Sequence, residues 1–409
     1  MIMLDRENKK PCVALDVSKG SSHVQGFLSC GAKATEVSVI QHTRSGFAQL
    51  KTIVEGLEEA TNRKIAIVFE CTGAYSKPIE HFLESIGWRF YEIPPLLSAK
   101  VRKSDIRPTK TDKRDCETIA NVYYLKRLRE HISVKPPYGK LKPLCSYYLF
   151  LVARSASDKI KYRQFLDIVY PRIDTCFNID ATYFLELIEK NPNPKKLKGK
   201  GRKSIATFFK KTPYCGEYKA NKLTTLLIDY LSDAALNIPD DDASIDVLAS
   251  AARMLSEDKR RAALLLEEIV LLGMKTEEYP YLVTIPGISK QSAARIAAEI
   301  GGIGRFDTPS KFVAYIGIDP SVHSSGKMLS DHLSITKKGN QRLRSLLYLV
   351  ASGTSKSKAQ GNPVRDFIVK KQSDGLPYRA AVIAGCNKLA RIIDAVCSKR
   401  QLFSFQSQN

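Results

Sequence analysis

Four carboxylates in this 409-residue chain have the residue types and the settings of a divalent-metal site. Asp16 lies inside an alternating apolar segment, Glu70 ends the compact run Ile65–Phe69, and Asp112 and Asp115 stand three residues apart. Hard divalent cations take several carboxylate oxygens, and two ions about 4 Å apart stabilise the attacking and leaving oxygens of phosphoryl transfer. Each carboxylate alone is equally typical of a strand end or a helix N-terminus. Together they predict a site for Mg²⁺, with two ions.

The residues around the last pair favour this interpretation. Seven basic residues lie between Lys100 and Arg114. So many positive charges beside metal-binding carboxylates are unexpected unless the same site also holds a phosphate backbone. We therefore expect Lys110, Lys113 and Arg114 to contact nucleic acid.

A serine on a glycine-flanked loop is the second candidate. Ser324 and Ser325 precede Gly326, shortly after Asp319 and Pro320. A serine hydroxyl in such a loop can approach a scissile phosphate and form a covalent phosphoserine if a base or a metal activates it. Most Ser-Ser-Gly tripeptides are simply turns. Four basic residues downstream would hold phosphates around the serine or form an exposed basic helix: Lys337, Lys338, Arg342 and Arg344.

Two other segments are candidates for phosphate contact, each with an ordinary alternative. The segment Asn191–Lys203 is rich in Pro, Gly and Lys and forms either a solvated connection or a phosphate-binding loop. In the second case the contacting residues are Lys198, Lys200, Arg202 and Lys203. The turn at Gly287, within Pro-Gly-Ile, resembles a helix–hairpin–helix, whose backbone amides bind DNA phosphates without reading sequence. An interhelical turn is the alternative.

The charge balance indicates a polyanionic partner. Lys and Arg number 64 against 42 for Asp and Glu, a net charge of +22. No apolar run reaches the roughly 18 residues of a membrane-spanning helix, and the N-terminal segment lacks the apolar centre of a signal peptide. The nine cysteines include no C-x-x-C pair, and the six histidines show no metal spacing. We expect a cytoplasmic, nucleoid-associated protein with reduced thiols.

The first third of the chain alternates strand and helix patterns. Strands are predicted at Cys12–Ser18, His23–Cys30, Ala34–Ile40, Ile65–Phe69 and Arg89–Ile93. Helices are predicted after Ser45 as N-cap, at Ala74–Ile86, and from Thr111 as N-cap to about Leu128. Three leading strands followed by helix, strand, helix, strand and helix is the order of a ribonuclease H-like α/β domain.

The remainder is predicted to be mainly helical. Leu223–Leu231 and Asp246–Leu272 carry amphipathic patterns, and the second is long enough for a coiled-coil or bundle arm. From Tyr279 onward a further set of helices surrounds the serine loop. The predicted fold is therefore α/β plus α, with domains at 9–135, 136–277 and 278–409.

A series of motifs in order resembles a known family. They are A-L-D-V-S-K around Asp16, F-E-C-T-G around Glu70, K-T-D-K-R-D around Asp112 and Asp115, and then I-P-G-I-S, Y-I-G-I-D-P, S-S-G and T-K-K-G-N-Q-R-L-R. Together they resemble the DEDD transposases of insertion sequences, the IS one-ten group, which includes the Piv-type DNA invertases. Any one motif is weak, and the ordered set is specific.

The resemblance implies a RuvC-like nuclease domain joined through helices to a smaller transposase domain. It implies that Asp16, Glu70, Asp112 and Asp115 bind the metal and that Ser325, rather than Ser324, is the nucleophile. It also implies a homo-oligomer, a dimer or a tetramer, and a structured bridge RNA that pairs with target and donor DNA. Pairing would then supply most of the sequence choice, as in other RNA-guided systems.

Three alternatives stay open at this point. A junction-resolving nuclease would use water as nucleophile, leaving the serine structural. A Piv-like invertase would recombine DNA without RNA. An inactive relative would keep the fold and bind nucleic acid without changing it.

Overall fold

The computed structural model describes residues 10–103, 112–126, 128–131, 136–213, 215–320, 324–325, 328–329, 335–357 and 361–404. For residues 102–103, 112–114, 324–325 and 328–329 it describes the backbone alone. The chain divides into two compact units, Met1–Ser133 and Val134–Asn409.

The first unit is built on a mixed sheet. Its strands are β1 Cys12–Val17, β2 Ser21–Ser29, β3 Ala32–Lys33, β4 Ser38–Gln41, β5 Ala66–Glu70 and β6 Phe90–Ile93. The strand order is β3-β2-β1-β5-β6, and β4 pairs with the other end of β2. β1, β5 and β6 are parallel, whereas β2 is antiparallel to β1. A mixed sheet flanked by helices confirms the α/β prediction for this part of the chain.

Alternation along the strands separates two cores. The helices of this unit are α1 Arg44–Thr61, α2 Lys77–Ser85, α3 Pro95–Lys103 and α4 Asp112–Leu125. Val13, Leu15 and Val17 of β1 pack with α1 and α2 on one face of the sheet. Cys12 and Ala14 pack with α4 on the other face. Because successive strand side chains point to opposite faces, Asp16 continues the row of Cys12 and Ala14.

Two predictions for this unit were wrong in detail, and one helix was not predicted. Ala34–Ile40 is not one strand, because Thr35 Oγ1 accepts from Gly26 N at 2.8 Å and the chain leaves β2 between β3 and β4. The cap of α1 is Thr43, not Ser45, and its hydroxyl accepts from Gly46 N at 3.1 Å. Helix α3 was not predicted, although proline at the first helical position is favourable. The predicted cap Thr111 lies outside the described residues.

Two long antiparallel helices organise the second unit. They are α5 Tyr138–Val169 and α10 Ala243–Gly273. The side chain of Arg154, near the middle of α5, forms an ion pair with the buried Asp258 of α10. We call this pair of helices the stalk; it agrees with the predicted helical arm at 246–272.

A small helical bundle, here called the head (residues 170–242), closes one end of the stalk. Its helices are α6 Thr182–Lys190, α7 Pro194–Lys198, α8 Arg202–Lys211 and α9 Glu217–Asp233. Its core joins Phe184 and Phe209 to Leu166 of α5 and Leu248 of α10. The segment 191–203 is therefore not a continuous loop. Asn193 caps α7 by accepting from the Lys195 and Lys196 amides, so the lysine-rich run is partly helical.

The C-terminal helices pack around the other end of the stalk. They are α11 Tyr279–Leu282, α12 Lys290–Ile300, α13 Pro309–Ile316, α14 Gln341–Ser355, α15 Pro363–Ser373 and α16 Tyr378–Ser398. Leu141 and Cys145 of α5 and Ile269 of α10 belong to the same core. Between α13 and α14 a two-stranded hairpin pairs β7 Ser324–Ser325 with β8 Met328–Leu329.

The cysteines are thiols, and six of the nine are buried. Burial raises the pKa of the Cys12, Cys145, Cys386 and Cys397 thiols to about 12, which keeps them protonated and unreactive. Within the described part of the chain, none of the helices is long and apolar enough to cross a membrane.

Candidate active site

Asp16, the last residue but one of β1, and Glu70, the last residue of β5, lie at the same level of two neighbouring parallel strands. Leu15 of β1 is in register with Phe69 of β5, so the next residue on each strand is the carboxylate. Neighbouring strands lie about 4.8 Å apart. Ala14 and Val68, two residues earlier, both pack in the core under α4. Both carboxylates therefore belong to the α4 face of the sheet.

Helix α4 brings a third carboxylate to this face. Asp115 is only 7% exposed, and the adjacent Cys116 is fully buried. The Cys116 thiol donates to the carbonyl of His23 at 3.5 Å, and His23 is paired directly with Asp16 across β1 and β2. The first turn of α4 thus lies beside the end of β1 that carries Asp16.

The fourth carboxylate, Asp112, begins α4 one turn earlier, and its side chain lies outside the described residues. Among the described side chains, no three Asp, Glu, His or Cys residues are gathered closely enough to hold a metal ion. The donor chemistry nevertheless fits a hard divalent cation, since Asp16, Glu70 and Asp115 are all carboxylates. Asp16, Glu70 and Asp115, with Asp112, are the residues that would hold it.

The sequence patterns did not identify His23 as a residue near the carboxylates. It is the cross-strand neighbour of Asp16, so both side chains belong to the α4 face. The alternation in β2 places Phe27 in the α4 core and Val24 in the opposite core, and the same count assigns His23 to the α4 face. That count needs the pairing partner of β2, which the sequence does not supply.

The hairpin that carries Ser325 is closed at its base by several contacts. Pro320 pairs with Ile335, and Thr336 donates through its amide to Asp319 O at 2.9 Å and through its hydroxyl to Asp319 Oδ1 at 2.6 Å. Ser325 pairs with Met328, next to the tip of the hairpin. Among the described residues, contacts are therefore present between β7 and β8 and again where the chain enters and leaves this segment, at Asp319 and Thr336.

Behind this base, α14 is attached to α12 and α13 through its cap. Asn340 accepts from Leu343 N at 3.0 Å and donates to Glu299 Oε2 at 2.8 Å and to the Tyr315 hydroxyl at 3.0 Å. Glu299 is 5% exposed. The one sign of this contact in the sequence is a lone carboxylate in the apolar run A-A-E-I, and no role was predicted for it.

The predicted phosphate-binding residues fall into different classes. Lys337 and Lys338 are exposed beside the hairpin base. Arg342 donates to Ser146 Oγ at 2.8 Å, and Arg344 donates to Ile316 O at 2.9 Å, so both guanidinium groups have partners within the unit. Lys110 lies outside the described residues, as do the side chains of Lys113 and Arg114.

The same sorting applies to the head and to the predicted hairpin turn. Lys198 and Lys203 are exposed, whereas Lys200 donates to Asn191 Oδ1 at 2.5 Å and Arg202 to Thr225 Oγ1 at 2.7 Å. Gly287 has φ +96°, and a Cβ there would lie 2.2 Å from Thr354 Oγ1. Packing against α14 therefore requires this glycine, and α11 before it is a single turn rather than a full helix.

Two family models match the chain. A transposase model for the DEDD domain of IS110 elements matches residues 13–171, and the model described as Transposase IS116/IS110/IS902 family matches residues 279–367. The chain belongs to the IS116/IS110/IS902 family of transposases. It is thus a transposase with a DEDD domain, an enzyme that binds, cleaves and joins DNA. DEDD domains generally use divalent metal.

Similar proteins come from several bacteria. The transposase is 22% identical over 357 residues to the IS110 insertion-element protein of Streptomyces coelicolor, covering 85% of each chain. It is 20% identical to the IS116 insertion-element protein of Streptomyces clavuligerus over 96% of each chain. The pilin gene-inverting protein of Moraxella bovis is 29% identical over 122 residues, 30% of this chain and 37% of that one. Residues 172–278, most of the head and α10, lie between the two family matches.

Proposed function

We propose that this transposase exchanges DNA strands through a covalent bond between Ser325 and DNA, with Asp16, Glu70, Asp112 and Asp115 holding two Mg²⁺ ions. The supporting observation is the register of β1 and β5, which brings Asp16 and Glu70 to the same level on the α4 face, near the ends of two adjacent strands. Such a set of oxygen donors at one sheet edge is suited to phosphoryl transfer.

In the proposed reaction, Ser325 Oγ bonds to the scissile phosphorus while the bridging phosphorus–oxygen bond to the leaving strand breaks. The serine proton passes to water, and the leaving oxygen takes up a proton. A hydroxyl of the incoming strand then attacks the phosphoserine, which restores the serine. Bound Mg²⁺ would supply electrostatic stabilisation of the charge that develops on the phosphate oxygens.

The chain itself positions the nucleophile. The contacts of Asp319 with Thr336 close the hairpin, and Asn340 ties its downstream end to Glu299. A covalent step is favoured when the nucleophile is held close to its reacting geometry, because less entropy is lost on reaching the transition state. The exposed Lys337 and Lys338 are suited to holding the phosphates of the strand that Ser325 attacks.

The carboxylates and the serine belong to different compact units, which supports a composite site in a homo-oligomer, a dimer or a tetramer. We keep 9–135, 136–277 and 278–409 as its nuclease, stalk-and-head and transposase domains. The stalk is the proposed contact between copies. Its helix α10 exposes Val247, Met254, Leu264 and Leu271, two pairs with seven-residue spacing.

The same proposal includes a structured bridge RNA that pairs with target and donor DNA in the cytoplasm of a prokaryotic host. The net charge of +22 suits an enzyme that holds RNA and several DNA strands at once. Purification of the tagged protein from its native host, followed by sequencing of the bound nucleic acid, tests this directly. One recurrent structured RNA supports guidance; active protein free of RNA would instead support a Piv-like invertase.

The covalent step is tested by trapping the adduct. Protein, bound RNA, Mg²⁺ and labelled DNA are incubated, denatured and separated, with and without protease. We expect a protease-sensitive protein–DNA species that is retained in Ser324→Ala and lost in Ser325→Ala. Cleavage products without any adduct would favour the junction-nuclease alternative, and an adduct that survives Ser325→Ala would contradict the assignment of the nucleophile.

A further inference from the structure

One segment of the head, residues 190–222, is strongly basic. Between Lys190 and Lys222 there are eleven Lys or Arg residues and one acidic residue, Glu217. This segment includes α7, α8 and the start of α9, so its cations are attached to a folded scaffold. It lies between the two family matches, which therefore assign it no role.

Four of these cations, Lys190, Lys200, Lys203 and Lys211, line a cleft between α6, α7 and α8. Lys203, Thr207 and Lys211 follow one another at four-residue spacing along α8, and Lys190 ends α6 on the opposite side. The cleft has a volume of about 500 Å³. Its apolar floor is formed by Leu187, Leu197, Ile205 and Phe208. None of its described lining residues is acidic.

The geometry of the cleft restrains part of this charge. Lys200 donates to the buried Asn191 at 2.5 Å, and Lys190 Nζ lies 5.8 Å from the centroid of the Phe208 ring. An adjoining cleft shares Lys190, Asn191, Leu197 and Lys200 with this one and also carries the carboxylates Asp240, Asp241, Asp242 and Asp246. Lys203 and Lys211 of α8 do not line that adjoining cleft. The basic surface on α8 therefore faces solvent without neutralising partners among its lining residues.

The side-chain types indicate what this surface binds. Lysine is a compact charge on a flexible stem and contacts phosphates without the fixed fork geometry with which arginine reads guanine. Four lysines lining one cleft are thus suited to backbone contact that is independent of sequence. DNA is the nucleic acid on which transposases of this family act.

The stalk fixes how far this surface lies from the transposase core. Cys145 packs in the C-terminal core and Leu166 packs in the head core, both on α5. At 1.5 Å per residue, the helix between them spans about 30 Å. Duplex DNA rises about 3.4 Å per base pair, so this distance corresponds to roughly ten base pairs.

We propose that the Lys190–Lys203–Lys211 cleft binds the phosphate backbone of duplex DNA about one helical turn away from the DNA held at the serine hairpin. This inference rests on the proposed function for the place of strand exchange. It adds a second, sequence-independent DNA contact that increases affinity only when the duplex is long enough to reach the head.

Substrate length provides the test. Binding of the full-length protein to a short and a long DNA duplex, which extend about 5 and about 40 base pairs beyond the exchange site, is measured by fluorescence anisotropy over a range of salt. Wild type should bind the long duplex at least about tenfold more tightly. Lys190→Gln/Lys203→Gln/Lys211→Gln should lose most of that gain, lower the salt slope on the long duplex by about three, and bind the short duplex like wild type.

The matched control removes three exposed lysines elsewhere, Lys275→Gln/Lys356→Gln/Lys370→Gln, and should retain the length-dependent gain. Equal thermal unfolding of the two variants checks their folding. Equal losses on short and long duplexes, or an unchanged length gain, would overturn the proposal. A gain that appears only with structured RNA of the same lengths would also overturn it, in favour of an RNA site. Because binding is scored without strand cleavage, this outcome is independent of the Ser325 adduct assay.

Discussion

Asn340 donates its side-chain amide to the buried carboxylate of Glu299, with Nδ2 and Oε2 2.8 Å apart. The contact joins the N-cap residue of α14 to α12. The backbone N–H of Asn340 also donates to Tyr315 O at 2.6 Å, which fixes the chain just before α14. Asn340 therefore attaches the start of α14 to α12 through its side chain and to α13 through both its side chain and its backbone.

Replacement of Asn340 by Ala should destabilise the second unit by about 2–4 kcal/mol. The helix loses its cap, at about 1 kcal/mol, and the buried Glu299 carboxylate loses a donor, at about 1–3 kcal/mol. Denaturant unfolding measures this loss. Asn362→Ala is the control, since Asn362 also caps a helix, α15, and donates to a backbone carbonyl. At temperatures where both variants are folded, only Asn340→Ala should reduce formation of the serine adduct. Equal reduction in both would show that Asn340 acts through stability alone.

Gly339→Ala should disturb the hairpin base more than its small size suggests. A Cβ at Gly339 would lie 2.4 Å from Tyr315 O and 2.6 Å from Gly317 N, both backbone atoms that cannot move aside alone. Overpacking of this kind costs about 1–3 kcal/mol. Gly353→Ala in α14 is the control: its Cβ meets open space, and alanine should stabilise the helix by up to about 1 kcal/mol. Thermal unfolding of the two variants should therefore shift in opposite directions.

Asp16→Asn and Glu70→Gln should each abolish Mg²⁺-dependent cleavage while leaving the fold intact. Each removes one charged ligand from the proposed metal site and keeps the shape of the side chain. Mg²⁺ titration of cleavage, together with circular dichroism, separates the two effects. Glu55→Gln, an exposed carboxylate of α1 paired with Lys51, is the control and should cleave like wild type. Full cleavage by Glu70→Gln would remove Glu70 from the site.

The first unit should lose stability as pH rises above the range in which His131 is charged. Its ring bonds to Glu92, and then to Glu84 at 3.2 Å, and these contacts raise the pKa of His131 above 6.5. A raised pKa means that the stabilisation is fully present below the unfolded value and is lost as pH passes the folded value. Thermal unfolding of wild type and His131→Gln should differ most at about pH 5.5 and converge towards about pH 8.5. Exposed His81→Gln is the control and should show no such convergence.

The strands that carry the carboxylates were predictable because their signal is local. The alternation around Asp16 and the compact run before Glu70 each follow from burial on a pleated strand, and both held. The strand order β2-β1-β5 cannot be predicted from the sequence of those segments. It decides that Asp16 and Glu70 are neighbours and that His23 stands opposite Asp16, so the sequence alone could not single out His23.

Other differences arise where tertiary contacts outweigh local preference. Thr43, not Ser45, caps α1, although both are acceptable caps. The lysine-rich stretch before α8 contains a helix because Asn193 caps it and Leu197 is buried in the head core. The hydrogen bonds of Asn340 join α14 to Glu299 of α12 and to Tyr315 of α13. In the sequence, the only trace of them is one acidic residue within an apolar run. Such contacts depend on which helices pack together, information that periodicity does not carry.

Because the stalk is antiparallel, the head is inserted at the tip of a helical hairpin. The far ends of α5 and α10 both pack in the C-terminal core. Adding seven residues to both α5 and α10 would preserve the faces that contact each other and move the head outward by about 10 Å. Neither family-matched segment would need to change its own packing in the C-terminal core. The distance between the two proposed DNA contacts is therefore an adjustable dimension of this transposase, set by helix length and separable from its chemistry.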